Sequence, residues 1–450
     1  MKGKNFIPKV SLFVLIVSLL LFFNPAFAEK VTITIAGMKG HPVFEADYEV
    51  LKDFQAKNPD IEVKIADIPY ATVLEKIMTS LAAKSSEYDI LWINDDYLPL
   101  FTRGDYLVPL DTIPELADDI KDMDSVELET ITWPHPKFHL PPWKLAEYAA
   151  KEKHLYALPF QDGAVVLFYR KDLIKTPPKN NKEFYAIAKK LSKPPDFWGF
   201  AVMLKPPEQG IAYLPMPLVH QYGGALWDDK WNPTVNSPAG EKMAKQIYDM
   251  IWTDKISPPA MPTYGRTETR NLIMEGKVAM IMEDSSVYGL LRDPQKSKFG
   301  DKIGMATLPT FAPNPKDGHI NVCGGTWNWG INVYSKNKKE AVKVLKALIS
   351  KEANIFLWKR TGTGVPRKSA KAELLKMDPE YKIVDDSWKH LSYIWTPTNM
   401  YNIPEWPEMN FKITAALDEY WTKQLSLKEA LEKGTRDCRK ILEEAGYYRK

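Results

Sequence analysis

Apolar residues at the start of the chain first alternate with polar ones and then recur at helical spacing. Residues 31–35 alternate strictly, which is typical of a strand, and residues 46–54 place apolar side chains on one helical face. Residues 58–60 (Asn-Pro-Asp) end that helix, and residues 61–65 alternate again. A strand, a helix and a strand in this order predict a βαβ unit and therefore a parallel sheet.

The pattern continues through most of the chain. Residues 88–93 are almost wholly apolar, as in a parallel strand that is covered on both faces. Asn337 with Glu340, and Ser426 with Glu429, match the capping box that opens a helix. Further strands are predicted over residues 155–169, 199–203 and 276–282, and a further helix over residues 239–252. The pattern as a whole predicts an α/β fold.

The N-terminus has the parts of a secretory signal peptide. Three lysines lie within residues 1–9, residues 10–23 are almost wholly apolar, and residues 26–28 (Ala-Phe-Ala) fit a signal-peptidase site. We expect cleavage near Ala28 and a mature protein in the periplasm or outside the cell. That protein would keep 422 of the 450 residues, more than one hydrophobic core usually serves, so at least two domains are expected.

Charge and cysteine content narrow the class of protein. Three of the 60 basic residues precede residue 29, which leaves 57 basic against 57 acidic residues. A nucleic-acid-binding protein usually has a basic excess, so that class is not favoured. The two cysteines, Cys323 and Cys438, form no C-x-x-C motif. Cys438 lies on an apolar helical stripe, which favours a buried thiol, and a disulfide with Cys323 is the alternative.

Two segments carry a resemblance to a known family. Residues 155–173 (LYALPFQDGAVVLFYRKDL) end in a Tyr-x-Lys-Asp-Leu motif, and residues 324–350 begin with a glycine pair followed by Thr-Trp-Asn-Trp. Together with residues 31–65, 88–111, 276–290 and 302–311, in this order, they resemble the solute-binding proteins of ATP-binding-cassette (ABC) importers. Within these, the chain is most similar to the maltodextrin-binding-like group. Residues 131–153 match poorly and are interpreted as an insertion.

The resemblance implies a periplasmic-binding-protein type II fold, in which two α/β lobes are joined by hinge crossings. Lobe one would comprise residues 29–160 and 311–350, and lobe two residues 161–310 and 351–450. The ligand would bind in the cleft between the lobes. The implied protein is a monomeric, non-enzymatic receptor that needs no cofactor or metal. It would deliver a sugar or oligosaccharide to the membrane permease of an ABC importer.

Binding residues are expected after the carboxyl ends of the strands, where open parallel sheets bind ligands. Lys39 and His41 follow the first strand, and Asp95 and Asp96 follow the strand that ends at residue 93. Of the two aspartates, we expect one to cap a helix and one to reach the ligand. The other candidates that follow a strand or a glycine pair are Asp284, Ser285 and Trp227.

The family resemblance adds candidates of its own. It implies a polar ligand contact at the first lobe crossing and aromatic rings in both lobes, since a sugar offers hydroxyl groups and apolar faces. Trp327 is the best candidate for stacking, whereas Trp329 is expected in the core. The residues added in this way are Gln161, Asp162, Tyr288, Gly325, Trp327 and Trp406.

Other functions remain as alternatives. A carbohydrate-active enzyme would need a pair of catalytic carboxylates, and no spacing in the sequence singles one out. A metal site could involve His135, His139 and His154, but prolines 134 and 136 interrupt any helix that would align the first two. The same receptor fold could bind a polyol, a peptide or a glycerophosphodiester. Only Lys39 and Arg266 offer cations near the predicted cleft, which argues against a phosphate ligand.

Overall fold

One long strand, Leu158–Arg170, connects two groups of strands. A computed structural model describes residues 30–134, 141, 143–144, 152–208, 210–315, 324–389 and 403–448. In chain order the strands are β1 (Val31–Met38), β2 (Ile61–Ile68), β3 (Ile90–Asn94), β4 (Thr132–Trp133), β5 (His154–Leu155), β6 (Leu158–Arg170), β7 (Trp198–Val202), β8 (Val278–Asp284), β9 (Ile303–Ala306) and β10 (Gly324–Ile331).

The order of the strands divides the main sheet into two halves. In the first half the order is β2-β1-β3-β10-β6, with β1 parallel to both β2 and β3 and with β10 antiparallel to its neighbours. In the second half β7 is parallel to β8, and β6 lies antiparallel to both β8 and β9. We call these halves, with the helices that cover them, lobe one and lobe two.

Helices flank both half-sheets and make up the C-terminal part of the chain. They are α1 (Pro42–Lys57), α2 (Tyr70–Ala82), α3 (Leu98–Arg103), α4 (Ala117–Asp122), α5 (Ser125–Thr130), α6 (Asn181–Leu191), α7 (Gly210–Tyr213), α8 (Pro215–Gln221), α9 (Pro238–Trp252), α10 (Arg266–Met274), α11 (Tyr288–Arg292), α12 (Lys338–Leu348), α13 (Lys351–Thr361), α14 (Lys368–Met377), α15 (Tyr381–Lys389), α16 (Trp406–Trp421) and α17 (Leu427–Glu444).

The predicted βαβ start of the chain is confirmed as β1, α1 and β2, with Val31 opposite Ile61 in a parallel register. Residues 90–94 form β3, in which every residue is buried, as the apolar run predicted. Trp329 is also in the core, where its ring stacks on Phe160 at 4.8 Å. The fold is therefore α/β, of the two-lobed kind that was expected.

The first crossing between the lobes lies within β6. Residues 158–164 pair with β10 in lobe one, and residues 165–170 pair with β8 and β9 in lobe two. The boundary predicted after residue 160 falls inside the lobe-one part of this strand. The full set of lobe boundaries stays a prediction.

Several residues singled out in the sequence lie outside the described ranges. These include Cys323, His135, His139 and most of the 131–153 insertion. Cys438 is described, and its thiol is buried 3.8 Å from the Met409 carbonyl oxygen. Within the described ranges, none of the helices combines the length and hydrophobicity that a membrane span requires.

Candidate functional site

A cavity of about 200 Å³ lies between the lobes, beyond the ends of β1 and β2 and beside the start of α10. Lobe one and lobe two both contribute to its walls, so the cavity is part of the interlobe cleft. Its lining residues are Met38, Lys39, Gly40, His41, Tyr70, Glu208, Arg266, Thr267, Arg270 and Trp327. The predicted binding residues Lys39, His41 and Trp327 are among them.

Trp327 forms the aromatic wall on the lobe-one side. It lies in β10 opposite Asn94 of β3 and Gln161 of β6, and a register shift follows directly after it. Such bulges re-aim side chains and are common beside functional sites. The indole is only partly buried, in contrast to Trp329, which is fully buried two residues later.

His41 lies beside Trp327, with the two ring centroids 4.6 Å apart. Its Nδ1 accepts a hydrogen bond from the Val43 amide and so caps α1. Burial lowers the pKa of His41 well below its usual value, and the charges of Arg270 and Arg266 lower it further. The imidazole is therefore neutral, and the proton on its other nitrogen, Nε2, makes it a hydrogen-bond donor.

The lobe-two wall is built around two arginines one turn apart on α10. Arg270 Nε donates to Glu283 at 3.1 Å, and Arg266 Nη1 lies 3.6 Å from the same carboxylate. Arg266 also donates to the Tyr213 hydroxyl at 2.6 Å, and that hydroxyl donates to Glu283. Glu283 is fully buried at the end of β8. These two ion pairs hold both guanidinium groups in the wall of the cavity.

The lobes touch each other across the cavity. The Arg266 guanidinium carbon lies 5.5 Å from the ring centroid of Tyr70, which belongs to lobe one. Within lobe two, Glu208 accepts a hydrogen bond from the Arg266 backbone amide at 2.9 Å. A cation over an aromatic face is an attractive contact. Tyr70 and Arg266 therefore connect the two lobes at this cavity.

Asp95 and Asp96 are both buried at the end of β3. The Asp95 carboxylate accepts hydrogen bonds from the Asp96 amide at 3.0 Å and the Thr326 amide at 3.1 Å. A Cβ at Gly325 would lie 2.9 Å from that carboxylate, so a glycine there allows the close approach. Asp95 thus holds the start of β10 against the end of β3. Ligand contact by these residues stays a prediction.

Gln161 and Asp162 lie in β6 at the lobe crossing and are nearly fully buried. The Gln161 side-chain oxygen has no hydrogen-bond partner among the described residues. Asp162 lies 3.1 Å from the Lys371 ammonium, which also lies 2.7 Å from Glu127. Asp162 is therefore held in a buried charge cluster, and its predicted role toward the ligand is untested.

Three binding residues predicted in lobe two, Asp284, Ser285 and Tyr288, do not contribute to the wall of the cavity. Asp284 accepts a hydrogen bond from the Ser286 amide at 2.8 Å, and Ser285 is fully buried. Tyr288 donates to Glu380 at 2.8 Å and stacks on a β6 ring. None of these three side chains lines the described cavity.

Trp227 and Trp406 contact each other instead of the cavity. Their ring centroids are 6.3 Å apart, and each ring is 1% exposed. Such burial is typical of core packing. Neither ring lines the described cavity, and their predicted ligand contacts stay a prediction.

Sequence reasoning missed Arg270, Tyr70 and Glu208. Arg266 and Arg270 are four residues apart, and this spacing places both on one helical face. That signal was available, but their common partner Glu283 could be identified only from the fold. Tyr70 meets Arg266 only when the lobes come together, so no local pattern marks it.

The alternative of a metal site was checked against the part of the chain that the structure describes. No group of three or more His, Cys, Asp or Glu side chains there is arranged to hold an ion. His154 instead lies 3.2 Å from Asp111. His135 and His139 lie outside the described residues, so the alternative that involves them stays a prediction.

Fold and cleft together define a two-lobed binding protein. The sequence profile of the bacterial extracellular solute-binding protein family matches residues 41–355. This match spans more than half of the chain, and the chain belongs to that family. Proteins of this family and fold are binding proteins.

Comparison with individual proteins agrees with this assignment. The chain is 22% identical over 457 residues to the mannitol-binding protein of Pseudomonas aeruginosa, covering 92% of this chain and 94% of that protein. Maltose-bound MalE3 of T. maritima matches with a TM-score of 0.75 at 21% identity, covering 92% and 100% of the two chains. A ribitol complex of an Agrobacterium radiobacter K84 solute-binding protein matches with a TM-score of 0.77 at 23% identity, covering 92% and 99%. These structural likenesses show a shared fold.

Proposed function

We propose that this chain is the extracytoplasmic receptor of an ABC importer and that it captures a sugar or a sugar alcohol between its lobes. The observation that carries the proposal is the interlobe cavity, where the partly buried ring of Trp327 faces polar groups of lobe two. An aromatic plate opposite hydrogen-bonding groups suits the apolar faces and hydroxyl groups of a sugar. The mannitol, maltose and ribitol named for similar proteins support the same class of ligand.

The size of the cavity favours a short ligand. At about 200 Å³ it is smaller than the roughly 300–1,000 Å³ of pockets for drug-sized ligands. We therefore infer that a single sugar ring or an open-chain polyol fills it. An oligosaccharide would need the lobes to stand further apart.

The signal-like N-terminus supports export, and the family supports a permease as the partner. The buried carboxylates argue against hydrolysis as the function. Asp95 is bonded to backbone amides, and Asp162 is paired with Lys371. Neither is placed as one of two catalytic carboxylates around an open cavity.

The test is isothermal titration calorimetry on residues 29–450 with monosaccharides, disaccharides, sugar acids and polyols, followed by analysis of each ligand for turnover. We expect micromolar or tighter binding of at least one ligand, which is recovered unchanged. Trp327→Ala should weaken that binding about 10- to 100-fold, because the stacking surface is lost. Trp327→Phe should retain most of the affinity, and Trp252→Ala, in lobe two away from the cavity, is the matched control. Peptides and glycerophosphodiesters are titrated in the same way, and binding of these ligands alone would contradict the proposal.

A further inference from the structure

The hydrogen-bonding groups around the cavity are mostly donors. Three cationic side chains, Lys39, Arg266 and Arg270, line it against a single lining carboxylate, Glu208. Lys and Arg side chains only donate hydrogen bonds. The neutral imidazole of His41 adds a further donor, since its Nδ1 already accepts a bond from α1. A neutral sugar, whose hydroxyl groups all carry protons to donate, finds few acceptors in this wall.

One of these donors is left without a partner. Arg270 is 8% exposed, and its Nη2 is buried with no hydrogen-bond partner among the described residues. Its Nε already donates to Glu283 behind the cavity wall. Burial of an unpaired guanidinium nitrogen is costly, and an oxygen acceptor on the ligand would remove that cost.

The side chains that line the cavity favour a negatively charged ligand. Three of them are cationic and one, Glu208, is anionic. The buried Glu283 pairs with both arginines from behind, and Glu208 lies 3.7 Å from the Lys205 ammonium. An anionic group on the ligand would offset the positive charge of this wall. Guanidinium groups are well suited to a carboxylate because they offer donors in a planar fork.

We propose that the ligand is an acidic sugar, either a uronic acid of one ring or an open-chain aldonic acid, whose carboxylate is bound by Arg270 and Lys39. This inference rests on the proposed function, since it specifies the kind of sugar that the same cavity takes. Trp327 contacts the carbon skeleton of the ligand, and the carboxylate lies toward α10.

Titration calorimetry with matched pairs of ligands tests the inference. The pairs are glucuronate with glucose, galacturonate with galactose, and gluconate with sorbitol, with glucose 6-phosphate as a dianionic comparison. In at least one pair the acid should bind about 10- to 100-fold more tightly than its neutral twin. A neutral twin that binds as tightly as the acid overturns the inference and leaves the proposed function intact. Tighter binding of glucose 6-phosphate than of the acids overturns the carboxylate assignment. Failure of every sugar and polyol to bind overturns both proposals.

Two variants separate recognition of charge from damage to the fold. Lys39 is exposed, so Lys39→Gln should leave folding unchanged and lower the acid-to-neutral affinity ratio about 2- to 5-fold. Lys57→Gln, at the far end of α1, is the matched control and should leave the ratio unchanged. Glu208→Gln retains an oxygen for the Arg266 amide but removes a negative charge, so it should raise the ratio. A structural defect would not increase affinity for the acid selectively, and an unchanged ratio in both cavity variants would contradict the proposal.

Discussion

At the scale of single residues, Asp95 shows how a carboxylate can serve structure while lying beside a binding cleft. Burial raises the pKa of Asp95 to about 7, although backbone hydrogen bonds from Thr326 and Asp96 lower it in part. The folded protein therefore holds this proton more tightly than the unfolded chain does. Asp95 favours folding at low pH, and this contribution is lost as the pH rises from about 4 to about 7.

The variant Asp95→Asn tests this dependence of folding stability on pH. The amide cannot titrate, and it loses one of the two acceptor contacts, so the variant should be less stable than wild type at pH 4. We expect the deficit in the free energy of unfolding to shrink by on the order of 4 kcal/mol between about pH 4 and pH 8. Denaturant unfolding of both proteins across this range measures it, with the exposed Asp60→Asn as a control. A deficit that does not change with pH would contradict the predicted shift.

At the scale of elements, the lobe crossing in β6 is tied to α5 and α14 by buried charges. Lys371 on α14 lies 2.7 Å from Glu127 on α5 and 3.1 Å from Asp162 in β6. Burial raises the pKa of both Glu127 and Asp162, and the Lys371 ammonium opposes that rise. The ammonium group of Lys371 therefore connects α5, α14 and β6 at the lobe crossing.

Replacement of that cation should be costly. Lys371→Met leaves two buried carboxylates without their counter-ion, and loss of one partner of a buried ion pair typically costs about 3–5 kcal/mol. We expect a loss of this size in chemical denaturation. Lys376→Met, an exposed position on the same helix, is the control and should change stability by less than about 0.5 kcal/mol. Similar losses in the two variants would show that the cluster is not a source of stability.

At the scale of the whole molecule, the lobes meet across the cleft through Tyr70 and Arg266. Hinge closure around a ligand is a known mode of motion for two-lobed binding proteins. A ligand stabilises the closed state only through contacts that the open state lacks. The contact between Tyr70 and Arg266 is one such contact within the protein itself, since its partners belong to different lobes.

Tyr70→Ala should therefore destabilise the closed state. The contact between a cation and an aromatic ring contributes about 0.5–2 kcal/mol, so ligand affinity should fall about 2- to 30-fold, mainly through faster dissociation. Stopped-flow fluorescence measures the dissociation rate, and small-angle X-ray scattering measures compaction on ligand addition. Tyr448→Ala breaks a similar contact, with Arg439, within one lobe and is the control. Equal dissociation rates for wild type and Tyr70→Ala would exclude a role for the contact in closure.

The sequence by itself determined several of the strands and helices, because periodicity and helix caps depend on residues close together in the chain. The βαβ start and the buried strand β3 were predicted in this way, and so was the capping box of Ser426 and Glu429, which is present in α17. The predicted helix start at Asn337 is confirmed, since Asn337 is the N-cap residue of α12, but the predicted capping box is absent. The Asn337 side chain makes no cap and instead donates to the Thr32 carbonyl oxygen in β1.

Only the tertiary structure decided which side chains share the cleft. Lys39 and His41 were predicted because ligands bind beyond the carboxyl ends of strands, and Trp327 was predicted from the family resemblance. All three line the cavity. Neither could show that Trp227 packs against Trp406, or that the buried Glu283 binds both arginines of α10. Such partners lie far apart in the chain, and their meeting depends on how the strands are ordered and how the lobes close.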